Sequence, residues 1–287
     1  MSKYFEQTRS FRERNSREAI AKKLDVSDML DAFKKADEKT AEMCESRIQN
    51  VRKIEIVSSP ETMHVLASKE APHGAMESYR ALRTRLTRLQ AAKGIRSVVL
   101  SSAAPGEGKT LTTLNLALCC AQLADFRVVV IDADLRSRGL TRLIGDPAAP
   151  GLSEVLSGKS QLQDAIQSTN YHNLHILPAG SPGVSPPELF AGSAWKDLIG
   201  WCSESFKLVL VDSPPMIPLT DFELIAGGCD AILAVVRAHK TQRDTLQRAA
   251  SQVDSKKFLG VVYNGAENHS KNGYLNYGYE QTSVSQS

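Results

Sequence analysis

The chain has 287 residues and a formal net charge of +3 at pH 7, and 42% of its residues are hydrophobic. This length fits one large α/β domain with extensions, and the small charge gives no reason to expect a nucleic-acid partner. No apolar run is long enough to span a bilayer. The cysteines lack disulfide or metal-ligand spacing, which favours a reducing cytoplasm; they are Cys44, Cys119, Cys120, Cys202 and Cys229.

Residues 1–74 are expected to form a charged, partly helical N-terminal extension and linker. Apolar residues recur there at loosely helical spacing; they are Val26, Leu30, Phe33, Met43, Ile48 and Val51. The extension is either a docking or oligomerisation arm or a solvated, partly ordered segment. Pro60 and the Pro72-His73-Gly74 stretch are typical of a linker.

A helix is predicted over Ala75–Ala92, because apolar residues recur along one stripe; they are Met76, Tyr79, Leu82, Leu86 and Leu89. Glu77, Arg80 and Arg83 follow one another at intervals of three and form a neighbouring polar stripe. Taken alone, that stripe is typical of a solvated helix face.

Strand and helix patterns alternate after Ile95, and most of the strands are near-continuous apolar runs, as in parallel sheets buried on both faces. They are Arg96–Ser101, Arg127–Ala133, Asn173–Pro178, Phe206–Val211, Ala231–Arg237 and Phe258–Asn264. We therefore predict a doubly wound α/β domain over residues 75–265, with a mostly parallel sheet and helices on both faces. One helix is expected to begin at Thr241, with Asp244 completing a variant capping box, and another to cover Glu188–Ile199.

The stretch from Ala103 to Thr110 predicts a phosphate-binding loop. It follows an apolar strand and precedes a helix, as a P-loop requires, although Ala103 replaces the first glycine of the pattern. Glycines let backbone N–H groups approach phosphate, the lysine reaches the phosphates, and the Thr110 hydroxyl can bind Mg²⁺. The predicted nucleotide-binding residues here are Pro105, Gly106, Glu107, Gly108, Lys109, Thr110 and Leu111.

Two further apolar strands end in carboxylates. Asp132 and Asp134 are two residues apart and are expected on the same side of their strand, and Asp212 follows the run Leu208–Val211. Beside a P-loop, such carboxylates can hold hydrated Mg²⁺ and accept a proton from an attacking hydroxyl. A triphosphate with Mg²⁺ is therefore predicted as the ligand.

Residues 266–287 are polar and predicted to be a flexible tail. The tail nevertheless contains Tyr274, Tyr277 and Tyr279 within six residues. Tyrosine is normally depleted in such segments, so the cluster indicates a function.

Together these motifs resemble those of the bacterial tyrosine autokinases of capsule and exopolysaccharide synthesis, over about residues 77–264. That family carries a P-loop of the P-G-E-G-K-[ST] kind, a D-x-D-x-R motif and a D-[ST]-P-P strand end, all present here. The stripe of Glu77, Arg80 and Arg83 matches the family's oligomerisation motif E-x-x-R-x-x-R. The family's phosphoacceptor is a C-terminal tyrosine cluster.

The resemblance implies an ATP-dependent protein tyrosine kinase that phosphorylates tail tyrosines in trans within a homo-oligomer. Lys109 and the loop amides would cradle ATP, and Asp134 would be the base toward the tyrosine hydroxyl. Thr110, Asp132 and Asp212 would organise Mg²⁺. By analogy with related ATPases, Asn264 would contact the nucleotide base.

The resemblance also implies that the chain regulates polysaccharide polymerisation or export. It predicts a separate membrane activator of the polysaccharide co-polymerase type, which would recruit a cytoplasmic protein to the inner face of the membrane, and an opposing tyrosine phosphatase. The sequence departs from the family in its short tyrosine cluster, in its first 60 residues, and in residues 179–189, which only approximate the family's Pro-Asn-Pro-x-Glu-Leu stretch.

Two other functions compete with the kinase. A partitioning-type ATPase switch would carry an extra lysine early in its P-loop, where this chain has Ala104. A nucleotide-sensing scaffold of a polysaccharide export complex, with little kinase activity, is compatible with the short tyrosine cluster.

Overall fold

A computed structural model of the protein describes residues 51–56, 73–145, 150–181, 185–217, 220–251 and 253–266. The strands are β1 (Arg52–Lys53), β2 (Ser97–Ser102), β3 (Val128–Asp132), β4 (Gln167–Ser168), β5 (Leu174–Leu177), β6 (Leu208–Asp212), β7 (Ala231–Arg237) and β8 (Phe258–Asn264). The helices are α1 (His73–Lys93), α2 (Lys109–Ala121), α3 (Gly139–Leu143), α4 (Leu152–Leu156), α5 (Leu162–Ala165), α6 (Pro186–Ala191), α7 (Ser193–Ser205), α8 (Thr220–Gly228) and α9 (Arg243–Ser251). None of these helices combines the length and the apolarity needed to cross a membrane.

The described strands form one sheet in the order β1-β4-β5-β3-β6-β2-β7-β8. From β5 to β8 every neighbouring pair is parallel, and β4 runs antiparallel to β5 at the other edge. The predicted doubly wound, mostly parallel fold is confirmed. It brings the carboxyl ends of β2, β3, β6 and β7 to one edge of the sheet, where ligands bind in folds of this kind.

Helices cover both faces of the sheet, and each face has its own apolar core. On one face Trp195 and Phe206 are fully buried, and the Trp195 indole N–H donates to the carbonyl of Ile225 at 3.0 Å. On the other face, Leu86 of α1 and Leu114 of α2 pack against the sheet. The central strands are apolar on both sides because both faces are covered.

The edge strands β1 and β4 were not predicted. Val51 was assigned to a helical pattern, but it precedes β1, which pairs with β4. The N–H of Ile54 donates to the carbonyl of Ser168 at 2.9 Å. Part of the predicted extension therefore joins the sheet, and the other residues of that helical pattern lie outside the described residues. Two-residue strands in polar sequence carry no periodicity that would reveal them.

Two helix predictions were wrong. The helix expected over residues 188–199 is split between α6 and α7, because Gly192 is extended (φ −80°, ψ 177°) and interrupts the helical hydrogen bonds. The helix expected at Thr241 begins at Arg243. The Thr241 hydroxyl does not cap that helix, since it donates to Glu107 and accepts from the backbone N–H of Arg237.

Candidate functional site

The P-loop connects β2 to α2 and is shaped by two glycines. Gly106 and Gly108 have φ values of 76° and 94°, a left-handed conformation that favours glycine. A Cβ on Gly108 would lie 2.1 Å from Nδ2 of Asn264, which leaves no room for a side chain. Ala103 is 1% exposed and packs in the apolar core, so an alanine is accommodated at the first glycine position of the motif. The helix start at Lys109 has no side-chain cap, which leaves its N–H groups available to phosphate.

Three carboxylates converge beside this loop. Strands β3 and β6 are neighbours, and their register places Asp132 directly opposite Asp212. Asp134 lies just beyond β3, and its Oδ2 is 3.1 Å from Nζ of Lys109. Burial by itself lowers the pKa of Lys109, but the charges of Asp212 and Asp134 outweigh it and raise the pKa above the usual value. The ammonium is therefore held charged among the three carboxylates.

Asp132 is fully buried and held by Thr141 of α3. Its Oδ2 accepts the backbone N–H of Thr141 at 2.8 Å and the hydroxyl at 2.6 Å. Burial raises the pKa of Asp132 to about 6, although the hydrogen bonds from Thr141 act in the opposite direction. Thr141 was not predicted, because nothing in its local sequence marks a hydroxyl that supports a carboxylate nine residues earlier.

Asp212 is also fully buried, and within the described part of the chain neither of its carboxylate oxygens meets full hydrogen-bond geometry with a partner, although the Thr110 hydroxyl is near enough to lower its pKa. Burial raises its pKa to about 8, and the nearby charge of Lys109 opposes that rise. A buried carboxylate without partners is costly unless a cation or donor compensates it. The donor set therefore fits Mg²⁺, with Thr110 close to the same carboxylate.

Protein side chains alone do not build a closed metal cage here. Among the described residues, no group of three or more His, Cys, Asp or Glu side chains is close enough to hold a metal ion. Mg²⁺ usually keeps several waters and binds through one or two carboxylates together with substrate phosphates. Asp132, Asp212 and the Thr110 hydroxyl would hold it here, beside a bound nucleotide.

A cleft of about 560 Å³ opens over Lys109 and Asp134. One wall is apolar and is formed by Pro214, Pro215 and Ile217. The lining also includes Arg136, whose Nε lies 2.6 Å from Oδ2 of Asp221 at the start of α8. This ion pair, which was not predicted, joins the segment after β3 to the segment after β6 at the cleft.

The other predicted nucleotide-binding residues lie around the P-loop but not in the cleft. The Asn264 side chain donates from Nδ2 to the carbonyl of Glu107 at 3.0 Å, so it supports the loop from outside. Leu111, in the first turn of α2, packs against the apolar core. The carboxylate of Glu107 is buried and faces Thr241.

The predicted oligomerisation stripe divides into two parts. Glu77 and Arg80 form an exposed ion pair on α1. Arg83 instead donates from Nη1 to the carbonyl of Cys119 in the last turn of α2, at 2.7 Å. The exposed part of the stripe is therefore the Glu77–Arg80 pair. The three tail tyrosines lie outside the described residues.

Replacing Gly108 with alanine is expected to weaken nucleotide binding at least tenfold. The new Cβ would collide with Asn264 and force a left-handed residue out of the conformation that aims the loop amides. Isothermal titration with MgADP measures the loss. Gly158→Ala is a matched control, since Gly158 also has a positive φ (71°) but a Cβ there meets nothing within 4 Å; unchanged affinity in the Gly108 variant would contradict the prediction.

The fold and the P-loop with its facing carboxylates define a nucleotide-binding domain. The model of the CobQ/CobB/MinD/ParA nucleotide binding domain matches residues 98–283, more than half of the chain. The chain is 31% identical over 215 residues to tyrosine-protein kinase YwqD of Bacillus subtilis, covering 74% of this chain and 90% of YwqD.

Further comparisons show which family of nucleotide-binding proteins the chain resembles. The chain is 31% identical over 207 residues to tyrosine-protein kinase CpsD of Streptococcus agalactiae, covering 70% of this chain and 88% of CpsD. The kinase domain of Escherichia coli tyrosine kinase ETK matches with a TM-score of 0.65 and 26% identity, covering 84% of this chain and 98% of that domain. The chain belongs to the bacterial tyrosine-protein kinases, as its motifs predicted.

Proposed function

We propose that this chain transfers the γ-phosphate of ATP to tyrosines in the tail of a neighbouring copy, at Tyr274, Tyr277 and Tyr279. The observation that carries the proposal is the cleft beside the P-loop. The Asp134 carboxylate contacts Lys109, and both line this cleft together with Pro214, Pro215 and Ile217, a combination that supports binding of a tyrosine ring and its hydroxyl.

The charged groups have different roles, which depend on where each lies in the site. Lys109 and the loop N–H groups bind the phosphates and offset the charge that develops during transfer. Asp132 and Asp212, with the Thr110 hydroxyl, would hold Mg²⁺, which would offset the negative charge of the phosphates. Positioning supplies most of the catalysis in phosphoryl transfer, and this chain provides it by fixing Asp132 through two hydrogen bonds from Thr141.

Asp134 is the group that receives the tyrosine proton. Its Oδ2 contacts Lys109, and its Oδ1 accepts the backbone N–H of Ser137 at 3.0 Å, so the carboxylate is oriented by two partners. Phosphates of ATP attract Lys109 and compete with Asp134 for its ammonium. Asp134 is then free to accept a hydrogen bond from the acceptor hydroxyl.

The acceptor tail is expected to act in trans within a homo-oligomer. To test this, a Lys109→Met chain, which keeps its tail but lacks the phosphate lysine, is mixed with a chain whose three tail tyrosines are phenylalanine. We expect phosphotyrosine on the Lys109→Met chain only in the mixture with ATP and Mg²⁺, read by mass spectrometry. Each variant incubated alone serves as the control.

Two outcomes separate the parts of this proposal. Tail labelling in wild-type chains at a rate independent of concentration, with none in the mixture, would show transfer in cis and reject the trans arrangement. ATP hydrolysis by wild type without any phosphotyrosine, even with an activator present, would reject the kinase.

Size-exclusion mass measurement before and after ATP tests whether tail phosphorylation dissociates the oligomer.

Membership of the family supports a proposal about further partners. We propose activation by a membrane protein of the polysaccharide co-polymerase type at the inner face of the membrane, reversal by a tyrosine phosphatase, and control of polysaccharide polymerisation or export. The matched region makes up 28% of the tyrosine-protein kinase wzc of Salmonella typhimurium, so in that relative it shares a polypeptide with other sequence. Full activity of the purified chain without any activator would contradict the activation step.

A further inference from the structure

The carboxylate of Glu107 is a buried charge inside the P-loop that the proposed chemistry does not use. The residue is 2% exposed. It is absent from the lining of the cleft, although Pro105, Gly106 and Lys109 of the same loop belong to that lining. Its hydrogen bonds direct the carboxylate toward Ala104 and Thr241. Burying a carboxylate is costly unless it is hydrogen-bonded. The hydrogen-bond partners of Glu107 therefore indicate its structural role.

Those partners join the P-loop to the segment that follows β7. Oε2 of Glu107 accepts the backbone N–H of Ala104 at 3.2 Å, and Oε1 accepts the Thr241 hydroxyl at 2.5 Å. The same hydroxyl oxygen accepts the backbone N–H of Arg237, the last residue of β7, at 2.9 Å. The Thr241 hydroxyl thus both donates and accepts, and it fixes the P-loop relative to the carboxyl end of β7.

The end of β8 holds the loop at a second point. Nδ2 of Asn264 donates to the carbonyl of Glu107, and the carbonyl of Asn264 accepts the N–H of Ala238 at 2.8 Å. Lys240 of the same segment places Nζ 3.4 Å from the position that a Cβ on Gly106 would occupy. Residues 237–241 therefore pack along the outer side of the P-loop, and Thr241 supplies their hydroxyl contact with it.

We propose that Thr241 is a positioning residue for the nucleotide: through Glu107 it holds the P-loop in the conformation that aims the loop amides at the phosphates. A loop that is fixed before the ligand arrives loses less conformational entropy on binding. Removing the hydroxyl therefore lowers nucleotide affinity while the sheet and both apolar cores stay intact. This inference requires only nucleotide binding and is independent of what receives the phosphate.

Titration of the full chain with MgADP by isothermal calorimetry tests the proposal, at a temperature where melting curves show every variant to be folded. We expect Thr241→Val to bind MgADP about tenfold more weakly, since a hydrogen bond to a charged group is lost. Thr241→Ser keeps the hydroxyl and is expected to stay within about twofold of wild type. Thr87→Val is the matched control, because the Thr87 hydroxyl donates only to the carbonyl of Thr84 within α1.

Repeating the Thr241→Val substitution in a Glu107→Ala chain distinguishes positioning of the P-loop from a merely structural role of Thr241. In a Glu107→Ala chain, Thr241 has no carboxylate to hold, so adding Thr241→Val is expected to change MgADP affinity by less than about twofold. Equal losses in both backgrounds would overturn the proposal, as would wild-type affinity in the single Thr241→Val chain. Failure of both Thr241→Val and Thr241→Ala to fold would also overturn it, since Thr241 would then serve the fold itself.

Discussion

Replacing Lys109 with methionine is expected to lower the rate of tyrosine phosphorylation by about 10³-fold. The lysine is the cation at the centre of three carboxylates, and its Nζ contacts Asp134 at 3.1 Å. Methionine has a similar length but no charge, so the charge that develops on the transferred phosphoryl group would lack its main protein counter-charge.

The variant is nevertheless expected to fold, because the buried carboxylates can take up protons when their cation is lost. Asp132 and Asp212 already have raised pKa values, and removing Lys109 raises that of Asp212 further, since the lysine charge opposes the rise. Phosphotyrosine formation with saturating MgATP measures the loss. Lys196→Met, at an exposed position on α7, is the control; a Lys109→Met chain with more than about a tenth of wild-type activity would contradict the prediction.

The sequence determines the central strands well because burial on both faces leaves continuous apolar runs. The predicted bounds of β7 and β8 match the structure residue for residue, and β2 and β3 differ by one residue at each end. The edge pair β1 and β4 was missed because two-residue strands depend on pairing partners distant in sequence. Local pattern alone does not contain that information.

In the site, too, the residues with a local sequence motif were predicted, and those that depend on distant contacts were not. Asp132 and Asp212 come together because they end neighbouring central strands, and Lys109 joins them because it belongs to the P-loop that follows β2. The two threonines that hold carboxylates of the site were not predicted: Thr141 donates to Asp132, and Thr241 donates to Glu107 in the P-loop. Each of those contacts joins segments that only the folded sheet brings together. Thr241 was even assigned a helix-capping role, since a hydroxyl before a helix is a common local signal with more than one use.

Replacing Asp212 with asparagine is expected to stabilise the nucleotide-free protein relative to wild type at pH 8, while abolishing phosphorylation. The pKa of Asp212 is raised from 3.8 to about 8 by burial, so the folded state disfavours the ionised form. At pH values between these two pKa values, the folded state of such a group binds more protons than the unfolded state. Its contribution to stability is complete below about pH 4 and is lost as the pH rises through about 8.

Denaturant unfolding of wild type and Asp212→Asn from pH 5 to 8, without nucleotide or Mg²⁺, tests this prediction. Wild type should lose stability relative to the variant as the pH rises, because asparagine has no proton to release. Asp197→Asn, which removes an exposed carboxylate on α7, is the control and should run parallel to wild type. MgADP should reverse the order, because Mg²⁺ favours the ionised carboxylate that the empty site disfavours. If the curves of wild type and Asp212→Asn are parallel throughout, Asp212 is not the strained carboxylate that its missing partners indicate.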